Sequence, residues 1–238
     1  MRFKGKTAVI IGGTSGIGLR VAENIIKGGG KVIVGGRTQE KMDKALSILG
    51  KSASGFLIDN TNKESIAAFF KNVDSFDYLF SPGASYGRGM MTEISDEIAE
   101  SPFKSKFWGQ YWAVKHSIGK ISSEGAIVLM SGAASVRPVS GGAAYSACNG
   151  AIESLGKALA TELAPVRVNV VSPGTIDSDL WQQQPAEVRE AAFKSFCEAN
   201  LLEKVGTVDE VASTVLFLLE NTYMTGSTLY PDGGYALR

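Results

Sequence analysis

Short apolar runs rich in β-branched residues alternate with amphipathic segments along the chain, and this alternation narrows the possible folds more than any other feature. Residues 7–11, 32–34, 54–58, 78–80, 126–130, 166–171 and 227–230 read as strands. Between them, residues 18–27, 41–49, 64–71, 103–121, 144–163 and 208–220 repeat apolar positions at helical spacing. The strand runs are apolar on both alternating faces, as expected for a parallel sheet covered by helices on either side. Strand–helix–strand units of this kind wind right-handedly. The 238 residues suit one such domain. The sequence therefore predicts an α/β fold: residues 1–238 as one doubly wound domain, with a parallel sheet of about seven strands and helices on both faces.

One segment breaks the rhythm. Residues 175–204 are long, carry Gln182-Gln183-Gln184-Pro185, and lie between the sixth strand run and the last helical segment. A long ordered insertion there reads either as a lid over a ligand site or as a plain surface excursion.

Bulk properties exclude several functions. Basic and acidic residues balance at 24 each, so no cationic surplus favours nucleic acid or an anionic membrane as partner. The run after Lys6 is too short for a signal-peptide core, and no stretch is apolar for long enough to span a bilayer. Cys148 and Cys197 form neither a disulfide framework nor a metal-ligand spacing. A reducing, cytoplasmic setting is expected. His116 is the single histidine, which leaves little material for a histidine triad or a multi-histidine metal site, and no metal is expected.

Gly12-Gly13-Thr14-Ser15-Gly16-Ile17-Gly18 follows the first strand run and opens the first helical one. Glycines there permit a tight turn and close approach of a pyrophosphate, and the helix start offers unpaired N–H groups and a positive dipole end. In that strand–turn–helix context the motif predicts a dinucleotide site. The second strand ends in Gly35-Gly36-Arg37. A carboxylate at its tip would take the ribose hydroxyl of NAD; Gly36 with Arg37 instead suits the extra phosphate of NADP(H). The alternative for Arg37 is a solvated residue at a helix start.

Further along come Met130-Ser131-Gly132, Tyr145-Ser146-Ala147-Cys148-Asn149, Arg167-Val168-Asn169-Val170-Val171-Ser172-Pro173-Gly174 and Asp232-Gly233-Gly234. With the glycine turn, these motifs resemble the short-chain dehydrogenase/reductase family over nearly the whole chain, and the fold they imply is Rossmann-type. The resemblance implies hydride transfer between NADP(H) and a small carbonyl or alcohol substrate, and a homodimer or homotetramer paired through the helices near 103–121 and 144–163. It implies cofactor contacts from Gly12, Thr14, Ser15, Gly16, Ile17 and Gly18, from Arg37, Asp59 and Asn60, from Gly83 in Ser81-Pro82-Gly83-Ala84, and from Pro173, Gly174, Ile176 and Ser178. Asp59 alternatively caps the helix near Lys63.

Tyr145 matches the family's catalytic tyrosine, which exchanges a proton with the substrate oxygen. The family lysine one turn later is Asn149 here. A phenol near its reference value of about 10 is a poor base at neutral pH. A cation about 5 Å away supplies roughly 3 kcal/mol at an effective dielectric of about 20. Aligning Gly109 with the glycine of the family's Asn-x-x-Gly puts Lys106 at the asparagine position. The two residue types are thus exchanged, and Lys106 is expected to serve Tyr145 from the neighbouring helix; otherwise it is an exposed helix lysine and the site is inactive. Counting back from Tyr145, the family's serine falls on Gly132. Ser131, one residue earlier, is a candidate oxyanion donor or a turn-bonding serine, and Ser135 a weaker substitute. Two rivals stand beside the oxidoreductase: a non-catalytic NADP(H)-binding sensor or scaffold, and an isomerase or lyase on the same fold.

Overall fold

A computed structural model describes residues 2–82 and 87–238. In chain order its main strands are β1 (Thr7–Ile11), β2 (Lys31–Gly36), β3 (Ala53–Leu57), β4 (Phe76–Ser81), β5 (Ile121–Met130), β6 (Arg167–Val171) and β9 (Thr228–Leu229). The two-residue strands β7 (Ile176–Asp177) and β8 (Gly206–Thr207) pair with each other. Among the described residues the main sheet has seven strands in the order β3-β2-β1-β4-β5-β6-β9, every pairing parallel. The order reverses between β1 and β4, and that switch point opens a crevice at the carboxyl ends of the strands.

The helices are α1 (Gly16–Lys27), α2 (Gln39–Leu49), α3 (Lys63–Lys71), α4 (Asp96–Pro102), α5 (Trp108–Ser117), α6 (Ala143–Glu162), α7 (Asp179–Gln182), α8 (Ala186–Ala199) and α9 (Val208–Glu220). Strand parity assigns them to two layers. Ala8, Ile10, Phe80 and Val128 face a core shared with Val21 and Ile25 of α1 and Val215 and Leu219 of α9. Their neighbours Val9, Ile11, Leu79 and Ile127 face the opposite core, with Ile66 and Phe69 of α3, Val114 of α5 and Ile152 of α6. Neither face of the central strands meets water, so truncating either parity to alanine costs about 2–5 kcal/mol for an isoleucine or leucine.

Two motif residues have structural duties. The guanidinium of Arg167 donates to Leu218 O at 2.9 Å and Leu219 O at 2.6 Å, satisfying carbonyls in the last turn of α9. Asn169 Nδ2 donates to Met224 O at 2.8 Å, and its Oδ1 accepts from Ser227 N at 3.1 Å, which fixes the entry to β9.

The helix expected over 103–121 is not continuous. Phe103–Phe107 forms a π-helical turn between α4 and α5, α5 ends at Ser117, and Gly119 at φ 83° reverses the chain into β5. Residues 175–204 contain α7 and α8 in place of a structureless excursion.

Candidate active site

The glycine-rich turn links β1 to the N-terminus of α1, as the sequence predicts. Gly12 (φ 80°) and Gly16 (φ 51°) adopt left-handed backbone that other residues resist. A Cβ on Gly18 would stand 2.2 Å from Gly12 O, so only glycine lets α1 pack this closely on the turn. Ser15 is the N-cap residue, in extended conformation with no side-chain cap bond. The Gly16 N–H donates to Asp179 Oδ2 of α7 at 3.1 Å. At the tip of β2, a Cβ on Gly36 would come within 2.5 Å of Thr14 Cγ2, so a carboxylate side chain there would displace Thr14. Arg37 is exposed beside it.

Asp59 Oδ1 accepts from Thr61 N at 2.9 Å and Thr61 Oγ1 at 2.8 Å, closing a turn. It is not the cap of α3; Asn62 fills that role, accepting from Ser65 N at 2.8 Å. Asn60 Nδ2 donates to Ser105 O at 3.1 Å, bracing the π-helical turn from outside. Gly83 lies outside the described residues.

The reactive group is assembled by three elements. Tyr145, on the first turn of α6, is 6% exposed, and Asn149 one turn on is fully buried. Lys106, in the π-helical turn, is 2% exposed. Its ammonium donates to Asn149 Oδ1 at 2.6 Å and to Ser131 O at 2.8 Å, and lies 5.2 Å from the centroid of the Tyr145 ring. The ammonium fixes which way the amide faces: Oδ1 points to Lys106, and Nδ2 is left buried with no partner among the described residues.

The serine position of the family falls on Gly132, as the count from Tyr145 expects. Gly132 is the residue that faces the tyrosine hydroxyl: a Cβ added there would lie 3.2 Å from Tyr145 Oη and 3.4 Å from the Asn149 amide. The Ser131 hydroxyl instead bonds Asn149 O at 2.9 Å and Glu153 Oε1 at 3.1 Å, so it serves as a turn-bonding group. Ser131 and Gly132 follow the end of β5 at Met130, and the one-residue offset points the Ser131 hydroxyl to α6 in place of Tyr145 Oη. Ser135 and Ser172 also bond Glu153 Oε1, and Tyr230 donates to Glu153 Oε2 at 2.8 Å. Burial first, and the bond to Glu153 second, push the Tyr230 phenol up to about 12.

Ser131, Gly132 and Tyr145 border a cavity of about 560 Å³ at the carboxyl edge of the sheet. Ile17, Pro173, Gly174, Ile176 and Ser178 line one side, with Tyr145 and Gly132 at the reactive end. Trp181, Gln184 and Phe196 close it from residues 175–204. Phe196 belongs to a half-buried stripe of α8 that also holds Arg189, Ala192, Phe193 and Cys197. Met90 and Met91 are exposed at 52% and 77% and do not border the cavity. The described residues contain no cluster of His, Cys, Asp or Glu able to hold a metal, and no helix among them is long and apolar enough to cross a membrane.

A family model described as enoyl-(acyl carrier protein) reductase matches residues 12–236. The chain belongs to the short-chain dehydrogenase/reductase family. It is 30% identical to the oxidoreductase asL5 of Sarocladium schorii, over 99% of this chain and 97% of that one. It is also 30% identical to the 3-oxoacyl-acyl-carrier-protein reductase FabG of Salmonella typhimurium, over 98% of both. Among solved structures, a small-chain dehydrogenase in complex with NADPH superposes with a TM-score of 0.82 at 29% identity, covering 98% of this chain and 99% of that one.

Proposed function

We propose that this chain is an NADP(H)-dependent oxidoreductase acting on a carbonyl/alcohol pair, with Tyr145 as acid/base and Lys106 as its cationic partner. The observation that carries the reading is the buried Lys106 ammonium, 5.2 Å from the Tyr145 ring and bonded to Asn149. Lysine has left the tyrosine's helix, but its charge has stayed beside the tyrosine.

The residues present fit the nucleotide. The turn at 12–18 leaves room over Gly16, where an added Cβ would meet nothing within 4 Å. Gly36 leaves no space for the acid that NAD would want, and Arg37 stands ready for a phosphate. The unpartnered Asn149 Nδ2 offers a buried donor where the family's lysine would meet the nicotinamide ribose. Bound there, NADP(H) supplies or accepts the hydride. Tyr145 Oη gives its proton to the substrate oxygen during reduction and takes it back during oxidation. Lys106 stabilises the phenolate left behind, and the apolar walls exclude water. With Gly132 lacking a hydroxyl, polarising the substrate oxygen falls to Tyr145. Pairing of subunits would use the face of α5 that carries Trp108, which is 45% exposed.

NADPH oxidation against a panel of aldehydes and ketones tests the reading. Tyr145→Phe should lower turnover by about a hundredfold or more while nucleotide binding persists. Lys106→Met should also cut turnover and move the basic limb of the pH profile upward, because the phenolate loses its cation. Unchanged kinetics in Lys106→Met would sink the assignment of Lys106. Nucleotide binding with no carbonyl ever reduced would point to a sensor or scaffold; substrate conversion without net cofactor change would point to an isomerase or lyase.

A further inference from the structure

Two arginines lie near the cavity's end of the sheet, and of these only Arg88 borders the cavity. Arg137 is already committed: it donates to Ala199 O at 2.7 Å and Tyr235 O at 3.1 Å, and stacks 4.5 Å from the Tyr235 ring centroid. Arg88 is not built into the fold in that way. It is exposed, borders the cavity, and holds its guanidinium 5.6 Å from the Tyr145 ring centroid. No ion pair among the described residues uses it, and residues 83–86 next to it include no acid. It is the single charged side chain among the described residues bordering the cavity, whose other walls include Met130, Val139, Trp181 and Phe196.

We infer that Arg88 makes this site select carbonyl substrates bearing a carboxylate on a short apolar body. The inference rests on the proposed oxidoreductase reading and names its substrate class. A guanidinium held over the aromatic face keeps its N–H edges for a bidentate acceptor. It stands beside the ring whose hydroxyl would protonate the carbonyl, so the anion and the reacting oxygen must belong to one small molecule. The apolar walls accept the rest of that molecule without demanding further polar groups. The same cation would repel an ammonium and give a neutral ester no ionic contact, so discrimination comes from charge and not from size.

Levulinate and benzoylformate, each against its methyl ester, are suitable probes. Binding is read as quenching of tryptophan fluorescence in the presence of NADP+, where no hydride is available; turnover is read with NADPH. The acids should bind roughly ten- to a hundredfold more tightly than the esters, the span of a charge-assisted hydrogen bond. Arg88→Met should erase most of that preference through the acids alone, mainly in KM, and leave ester binding unchanged. Arg88→Lys should retain part of it. A thermal melt of each variant matching the parent shows that folding is intact. Equal binding of acid and ester by the parent, no binding of either, or equal losses for both in Arg88→Met would each overturn the inference. Acid-selective binding lost in Arg88→Met, but with no turnover of any carbonyl, would uphold anion recognition and remove the oxidoreductase reading instead.

Discussion

An ammonium taken out of water must find acceptors, and those acceptors decide what else it can do. Lys106 finds Asn149 Oδ1 and Ser131 O, and both belong to elements that frame Tyr145. An exchange of residues between neighbouring helices therefore need not disable the site. The double variant Lys106→Asn with Asn149→Lys should recover more turnover than Lys106→Asn alone, because it returns a cation to the tyrosine's helix. On the proposed reading, cofactor choice rests on Arg37. Arg37→Ala should erase most of the preference for NADPH over NADH, while binding of NADH stays nearly constant; equal affinity of the parent for both nucleotides, by calorimetry, would refute this. The exchanged positions of Lys106 and Asn149 were legible in the sequence because counts from Gly109 and from Tyr145 against the family's pattern locate both; the bond between them was not. Nor was the aim of the serine hydroxyl. The count from Tyr145 puts the family's serine position on Gly132, but where the hydroxyl of the adjacent Ser131 goes depends on the turn after β5.

Among the elements, those with two-sided hydrophobic patterns were readable almost to the residue: β1 and α9 have the bounds the sequence predicts. α9 also carries its own start signal. Thr207 Oγ1 accepts from Glu210 N at 3.2 Å, and Glu210 Oε2 accepts from Thr207 N at 2.8 Å, a reciprocal capping box. Thr207→Ala should cost about 1 kcal/mol, seen as a lower thermal midpoint. The bonds from Lys204 first and from the Thr207 backbone second hold the Glu210 carboxyl below its usual value of 4.5. Its contribution is thus present above the unfolded value and fades as the pH falls through the lower folded one. The difference in midpoint between the parent and Glu210→Gln should shrink across that acid range; a constant difference would show that Glu210 acts without its charge. The elements that were missed lack a buried stripe. No residue of α8 is buried, and α4 is a short acidic helix ending in Pro102. The π-helical turn that aims Lys106 was invisible for another reason: an apolar period of 3.6 residues does not report one widened turn inside it.

At the scale of the whole molecule, residues 175–204 are tied down at their base and carry above it a helix with no fully buried residue. Ile176 and Asp177 pair with Gly206 and Thr207, and Leu202 N donates to Gly233 O at 3.0 Å. Between these ties, Trp181 packs edge-on against Phe193 and Phe196, and α8 has no fully buried residue but meets the body through Phe196 at the cavity and through Ala199 O, which accepts from Arg137 at 2.7 Å. A firm base under a weakly held flap is the mechanical requirement of a lid. One contact couples that flap to the nucleotide site. The Asp179 carboxylate accepts from the Gly16 N–H at the start of α1, the place where the dipole and the unpaired N–H groups favour an anion. A pyrophosphate and this carboxylate compete for the same donor, so nucleotide binding must displace Asp179 and with it α7. Asp179→Asn removes the competing charge and should tighten nucleotide binding roughly two- to fivefold, the weight of a charge at a helix terminus. Amide exchange across 175–204 should then slow when nucleotide and a carboxylate ketone bind together, since Trp181 and Phe196 would close on the filled cavity. Weaker nucleotide binding by Asp179→Asn would mean that the carboxylate assists the cofactor. Unaltered exchange in the segment would make 175–204 a fixed part of the surface, with the cavity open at all times to water.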